Sequence, residues 1–292
     1  MLEGAQAFDL IGDTLAIADQ LAGRVHLFDV AGRHLRTLGG PAGSGPDVLQ
    51  APLHIVFGRD RSLWVGDGGG GRIVRFGPDL EVAETIQLPA RGLGFAGRFA
   101  VDPVLGVITA SMSEGHLLTV VGEETLDIPS QVPLPGELGF DLLARAMGFY
   151  FLSYRGQNEL VLADDRSLTL WRVQLEYAPP GIVGIEEIVL PRWLLDRMEE
   201  SRERTLETFR HTPGHAFAFR GMRATRDGVW LEPAASGIRG VLVPYDAGDV
   251  TVLWRADEPE RNRKNMLRDG VAYILERTGM SLYEVVPTDS PP

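Results

Sequence analysis

The stretch Pro52–Asp79, PLHIVFGRDRSLWVGDGGGGRIVRFGPD, carries the pattern that decides the fold. An apolar run over Pro52–Phe57 is cut by Gly58-Arg59-Asp60. A second run, Leu63–Asp67, is closed by four glycines, and a third, Arg72–Phe76, ends at Gly77-Pro78. Short β-rich runs between Gly, Pro and Asp punctuation read as strands joined by turns. The run Asp67–Gly71 leads into a strand and not into a helix N-terminus. It therefore reads as a hairpin loop and not as a phosphate cradle.

Outward from this unit the pattern recurs. The preceding copy is Ile11–Gly40, IGDTLAIADQLAGRVHLFDVAGRHLRTLGG, and four more begin at Arg98, Gly148, Phe219 and Asn265. With the later apolar strand of each copy as a ruler, the anchors Val25, Val74, Leu118, Leu168, Val241 and Leu282 lie 49, 44, 50, 73 and 41 residues apart. All but the long interval match the roughly 40–50 residues of a four-stranded propeller blade. A two-sheet sandwich needs no such period. The expected fold is all-β: one domain over residues 1–292, a six-bladed β-propeller of four-stranded antiparallel blades. Second strands are predicted near 14–18, 63–67, 107–112, 159–163, 229–233 and 271–276. The last copy is a strand short, and the residues before Asp9 are expected to complete it. Closure removes exposed sheet edges.

The long interval holds a segment of different character, RWLLDRMEESRERTLETFRHT at 192–212. It is dense in charge and lacks Gly and Pro. Leu195, Met198, Leu206 and Phe209 recur at near-helical spacing, and Glu200–Arg204 is a favourable i,i+4 pair. A helical insertion between blades four and five is predicted. Trp193, Leu195, Met198 and Phe209 should pack on the propeller, with Glu199, Glu203 and Glu207 facing solvent. Trp64, Trp230 and Tyr273 occupy matching second-strand places and read as packing between blades.

Composition narrows the partners. Lys+Arg is 28 against Asp+Glu at 40, a net charge of -12, which argues against nucleic acid because phosphate neutralisation needs a basic surface. No apolar run is long enough to insert in a membrane as a helix. Cys is absent, so thiolate chemistry, zinc ribbons and Fe–S clusters are excluded. Lys264 is the single lysine, and the arginines are scattered along the chain. The start, Met1-Leu2-Glu3-Gly4, shows neither the basic nor the apolar region of a signal peptide.

The Pro52–Phe76 unit resembles an NHL repeat in Trp64-Val65-Gly66-Asp67 and Arg72-Ile73-Val74-Arg75-Phe76. The preceding unit matches through Ala16-Ile17-Ala18-Asp19 and Arg24–Asp29. The linker GGPAGSGPDVLQAP at 39–52 resembles the Gly-rich connector of bacterial six-bladed propellers. The resemblance implies that fold and inclines towards a periplasmic or extracellular setting. It implies no single activity, since the architecture hosts scaffolds, sensors, lactonases and lyases.

Long loops and insertions on a regular scaffold are where function gathers. In an antiparallel blade the second-to-third turn and the inter-blade link share a face, and that face carries the insertion and four of the six histidines. The site is placed at the channel mouth there, with His54, Asp67, Arg72, His116, His211 and His215 as ligand-binding residues. It would take a small molecule, a peptide or a protein. A carboxylate or phosphate would pair with Arg72. The competing reading is a metal-dependent hydrolase or lyase with an axial site on that face, and zinc and calcium are the metals weighed. Amidating lyases of similar fold use a His set, but His54 is displaced by one position, which reverses a strand residue's face. Calcium lactonases need an axial Glu, Asn and Asp set. Only Asn265 of the three asparagines falls near the start of an inner strand, and Asp67, Asp102 and Asp269 read as turn-forming residues. No catalytic residue and no cofactor is assigned.

Overall fold

The computed structural model describes residues 2–40, 45, 47–88, 98–110, 116–122, 126–134, 150–165, 167–208, 219–233, 238–246, 250–254, 264–268, 271–276 and 279–284. Strands β1 (Ala5–Ile11), β2 (Thr14–Asp19), β3 (Arg24–Asp29) and β4 (His34–Leu38) form the first sheet. The Pro52–Asp79 unit gives most of the second: β5 (Pro52–Phe57), β6 (Leu63–Asp67), β7 (Arg72–Phe76) and β8 (Val82–Gln87). The third holds β9 (Ala100–Asp102), β10 (Gly106–Ala110), β11 (Leu118–Val121) and β12 (Leu126–Ile128). The fourth holds β13 (Tyr150–Gly156), β14 (Glu159–Asp164), β15 (Thr169–Tyr177) and β16 (Pro180–Ile188). The fifth holds β17 (Phe219–Ala224), β18 (Gly228–Pro233), β19 (Ile238–Pro244) and β20 (Thr251–Trp254). The last is β21 (Lys264–Arg268), β22 (Val271–Glu276) and β23 (Gly279–Glu284).

Within each sheet, neighbours in sequence are hydrogen-bonded and antiparallel. The first strands of successive sheets touch in turn, β1 to β5, β9, β13, β17 and β21, and β21 touches β1. They line a ring, and the architecture is an all-β propeller of four-stranded blades, with one helix among the described residues.

Two expectations are corrected. Among the described residues five sheets have four strands, whereas the last has three, so six complete four-stranded blades are not seen. The residues before Asp9 do not complete that last sheet. Ala5–Ile11 turns back through Gly12, whose φ is +54, and pairs with Thr14–Asp19 as the inner strand of the first sheet. Glycine takes that positive φ without steric cost, so a two-residue hairpin outcompetes the long-range pairing. Among the anchors, Leu168 stands one residue ahead of β15, in a turn with φ +58.

The cores lie between blades. Ala16, Ala18, Val25 and Leu27 of the first sheet pack on Ile55, Leu63, Val65, Val74 and Phe76 of the second. The insertion is helix α1 (Arg192–Thr208). It docks on the seam between the fourth and fifth sheets through Leu194 and Met198, both buried, with Trp193 and Leu195 half-buried beside them. Leu194 is one the sequence pattern passed over. Glu199 and Glu203 are exposed as expected, and the side chains of Phe209 and Glu207 lie outside the described residues. Trp64 is buried in the core between the second and third sheets, as expected, whereas Trp230 is buried over Gly240 of its own sheet and on the cavity wall, and the side chain of Tyr273 lies outside the described residues.

Candidate functional site

Antiparallel blades give the ring two faces. The turn face carries the first-to-second and third-to-fourth turns, and the linker face carries the second-to-third turns and the links between blades. Between them the inner strands enclose an axial cavity of about 440 Å³. β1 contributes Gln6–Asp9, β5 Leu53–Phe57, β13 Phe151–Arg155 and β17 Gly221–Ala224, and Arg59, Arg98–Val101, Trp230 and Glu232 complete the wall. That volume lies in the range of small-molecule sites, about 300–1,000 Å³. The wall holds four arginines, Arg59, Arg98, Arg155 and Arg223, against two carboxylates, Asp9 and Glu232. In a chain of net charge -12 the cavity is a local reversal of sign.

Three of the arginines sit towards the turn face. Arg155, near the end of β13, stacks 3.8 Å from the centre of the Tyr245 ring and pairs with Glu159. The Tyr245 hydroxyl donates to the Thr225 carbonyl at 3.0 Å, and burial pushes its pKa up to about 12. Arg223, near the end of β17, pairs with Asp9 of β1. The other oxygen of Asp9 accepts the Phe57 amide at 2.7 Å, so one buried carboxylate ties three inner strands together. Arg59 follows β5 in an exposed turn and lies 5.5 Å from the Tyr154 ring centre. Among the described residues it meets no carboxylate. Tyr177 donates to Asp102 at 2.8 Å, and its pKa is raised by burial and by that bond and one with Tyr154.

The linker end is drier. His54 Nε2 lies 3.1 Å from the Phe99 carbonyl oxygen, and the two rings meet edge to face at 4.8 Å. Arg98 lies 3.4 Å from the Phe151 ring centre. Burial pushes its guanidinium down to about 10, with Asp165 opposing, so it stays cationic at neutral pH. Trp230, 1% exposed and paired with Arg223 in the β17–β18 ladder, lies towards the turn face, and its indole N–H has no hydrogen-bond partner among the described residues.

Of the six residues expected from sequence, four are described, and one of these lines the cavity. His54 reaches the cavity wall. Asp67 and Arg72 have other work: Asp67, fully buried, accepts the Gln50 and Ala51 amides at 3.0 and 2.8 Å and Arg72 Nε at 3.2 Å. Arg72 also donates to the Val48 carbonyl. The pair clamps the link that enters the second blade. Asp19 repeats the clamp in the first blade, accepting the Glu3 and Gly4 amides at 2.7 and 2.8 Å. Asp102 forms the turn expected of it, accepting the Val104 and Leu105 amides. The Asp67–Gly71 run is the β6–β7 hairpin. His116 is half-buried just before β11, away from the cavity wall. His211, His215 and Asp269 lie outside the described residues, as does the side chain of Asn265. Among the described residues no group of three or more His, Asp or Glu is arranged to hold a metal, and no helix is long and apolar enough to cross a membrane.

The cavity arginines escaped the sequence reading, yet a signal was present. Arg59 and Arg155 each stand four residues ahead of the start of their second strands, Leu63 and Glu159, and Arg223 stands five ahead of Gly228. Aligning the copies on those strands would have brought the three together.

No family model matches the sequence, and no curated protein matches it. Solved structures do share the fold. Virginiamycin B lyase from Staphylococcus aureus is 12% identical with a TM-score of 0.52, over 100% of this chain and 86% of that one. A protein from Bacteroides fragilis NCTC 9343 is 9% identical with a TM-score of 0.58, over 94% of this chain and 79% of that one. A protein of unknown function from Bacteroides thetaiotaomicron VPI-5482 is 12% identical with a TM-score of 0.55, over 97% of this chain and 70% of that one. At such identities the likeness is one of fold.

Proposed function

We propose that this protein is a binding propeller that holds a small molecule in its axial cavity. The observation that carries this is the wall itself: five inner strands from five blades supply polar and apolar side chains to one enclosed space. On this reading β21–β23 is a sixth blade, since β21 bridges β17 and β1. His54, at the linker end of the wall, marks its second entrance.

The test is a thermal-shift screen of a mixed small-molecule set, followed by calorimetry on the hits. Gln6 is an exposed residue of the wall. Gln6→Trp should weaken every hit that binds in the cavity while leaving the melting temperature unchanged. Hits indifferent to this variant, and to bulk at other wall positions, would place binding elsewhere. The alternative, a metal-dependent lyase or hydrolase, draws support from the lyase among the structural neighbours and from His54 and Glu232 sharing the cavity wall. It requires a stoichiometric metal in protein purified without a His tag.

A further inference from the structure

We infer that the cavity recognises a small organic anion, a carboxylate or phosphate joined to an apolar body, with Arg59 as the cation that receives it at the turn-face mouth. The inference rests on the cavity being the binding site.

The three arginines at that mouth differ in what already neutralises them. Arg155 has Glu159 and Arg223 has Asp9. Arg59 has the face of Tyr154 and no carboxylate among the described residues. Stacking occupies the flat face of a guanidinium and leaves its N–H edge to donate, the arrangement that suits a planar or tetrahedral oxyanion. The backbone makes room for it. Gly156 has φ +110, and a Cβ there would lie 2.2 Å from Arg59 Nη2. A residue with a side chain would push the guanidinium off its seat. Arg155, adjacent in sequence, and Arg223 balance Glu159 and Asp9, so an anion that reaches Arg59 does not face those carboxylates unpaired.

The wall also carries apolar side chains that are not fully buried, Phe8, Val56 and Met222. A ligand with a charged head and an apolar body matches that wall. A cavity of about 440 Å³ is of a size for a small molecule.

The experiment titrates the full chain calorimetrically with phenylacetate, phenyl phosphate and the neutral isostere phenylacetamide. Saturable binding of an anion is expected, at least about tenfold tighter than the amide and weaker at high salt. The tighter of the two anions names the head group. Arg59→Gln, at an exposed position, should keep the fold and abolish the preference. Gly156→Ala should reduce it by displacing Arg59. Arg192→Gln, on the exposed side of α1, removes the same formal charge elsewhere and should leave it intact. If the amide binds as tightly as the anions, the cavity remains a binding site and the anion assignment falls. If Arg59→Gln keeps the full preference, Arg59 is not the receiving group. If none of the three probes binds at millimolar concentration, both the assignment and the cavity reading are overturned.

Discussion

Asp67 and Asp9 are both buried carboxylates in this propeller, but they are satisfied over very different distances. Asp67 bonds to Arg72, the next residue across a hairpin, and to amides 16 and 17 residues upstream. Asp9 reaches the Phe57 amide 48 residues away and Arg223 on the fifth sheet. The first is a device of the repeat, reused at Asp19. The second is a device of the ring, joining three inner strands. Both accept backbone amides, and they differ in the cation, since the Arg72 side chain is 13% exposed whereas that of Arg223 is 34% exposed and keeps more water to fall back on.

The largest effect should therefore come from the local clamp. Asp67→Ala removes the acceptor of two amides and strands Arg72, and should cost about 4 kcal/mol in a urea unfolding series. Asp9→Ala should cost less, about 2 kcal/mol, because Arg223 is 34% exposed and regains water. Equal losses would erase the contrast. A double-mutant cycle sharpens it: the Asp9–Arg223 coupling should be about 1 kcal/mol, below that of Asp67–Arg72 measured with the same substitutions.

The smallest effect lies on the outer part of the first blade. Burial holds the His26 imidazole below its ordinary 6.5, against the pull of Asp19. The folded state thus binds a proton less readily than the unfolded chain. Stability from this site is complete above pH 6.5 and is lost as the pH falls from there through the folded-state value. His26→Gln should flatten that part of the stability–pH curve, and an unchanged slope would assign it to other groups.

What the sequence disclosed follows the same division. The second strands were legible because each is a short apolar run, three of them ending in Asp, as in Leu63–Asp67. Helix α1 was legible because a charged stretch free of Gly and Pro has few other options. The turn reading of Asp102 rested on contacts two and three residues away, which a sequence can express. Arg59, Arg155 and Arg223 were read as scattered because nothing in their neighbours records which inner strands face one another. The assignment of Ala5–Ile11 went astray for a related reason. A hairpin through Gly12 and a long-range closing strand have the same apolar pattern, and only the turn geometry separates them.

Protein engineers seeking thermal tolerance often replace glycines by alanine, because a less flexible unfolded chain is easier to order. Gly156 would look like an ordinary candidate in such a campaign. Its φ of +110 turns the expected gain into strain, and the new methyl would evict the end of Arg59. Arg59 is a flexible side chain and can swing away, so the chain would still fold. The variant would pass every screen for expression and solubility while its entrance had been rearranged. Positions of this kind belong on the exclusion list of any stabilisation library built on this scaffold.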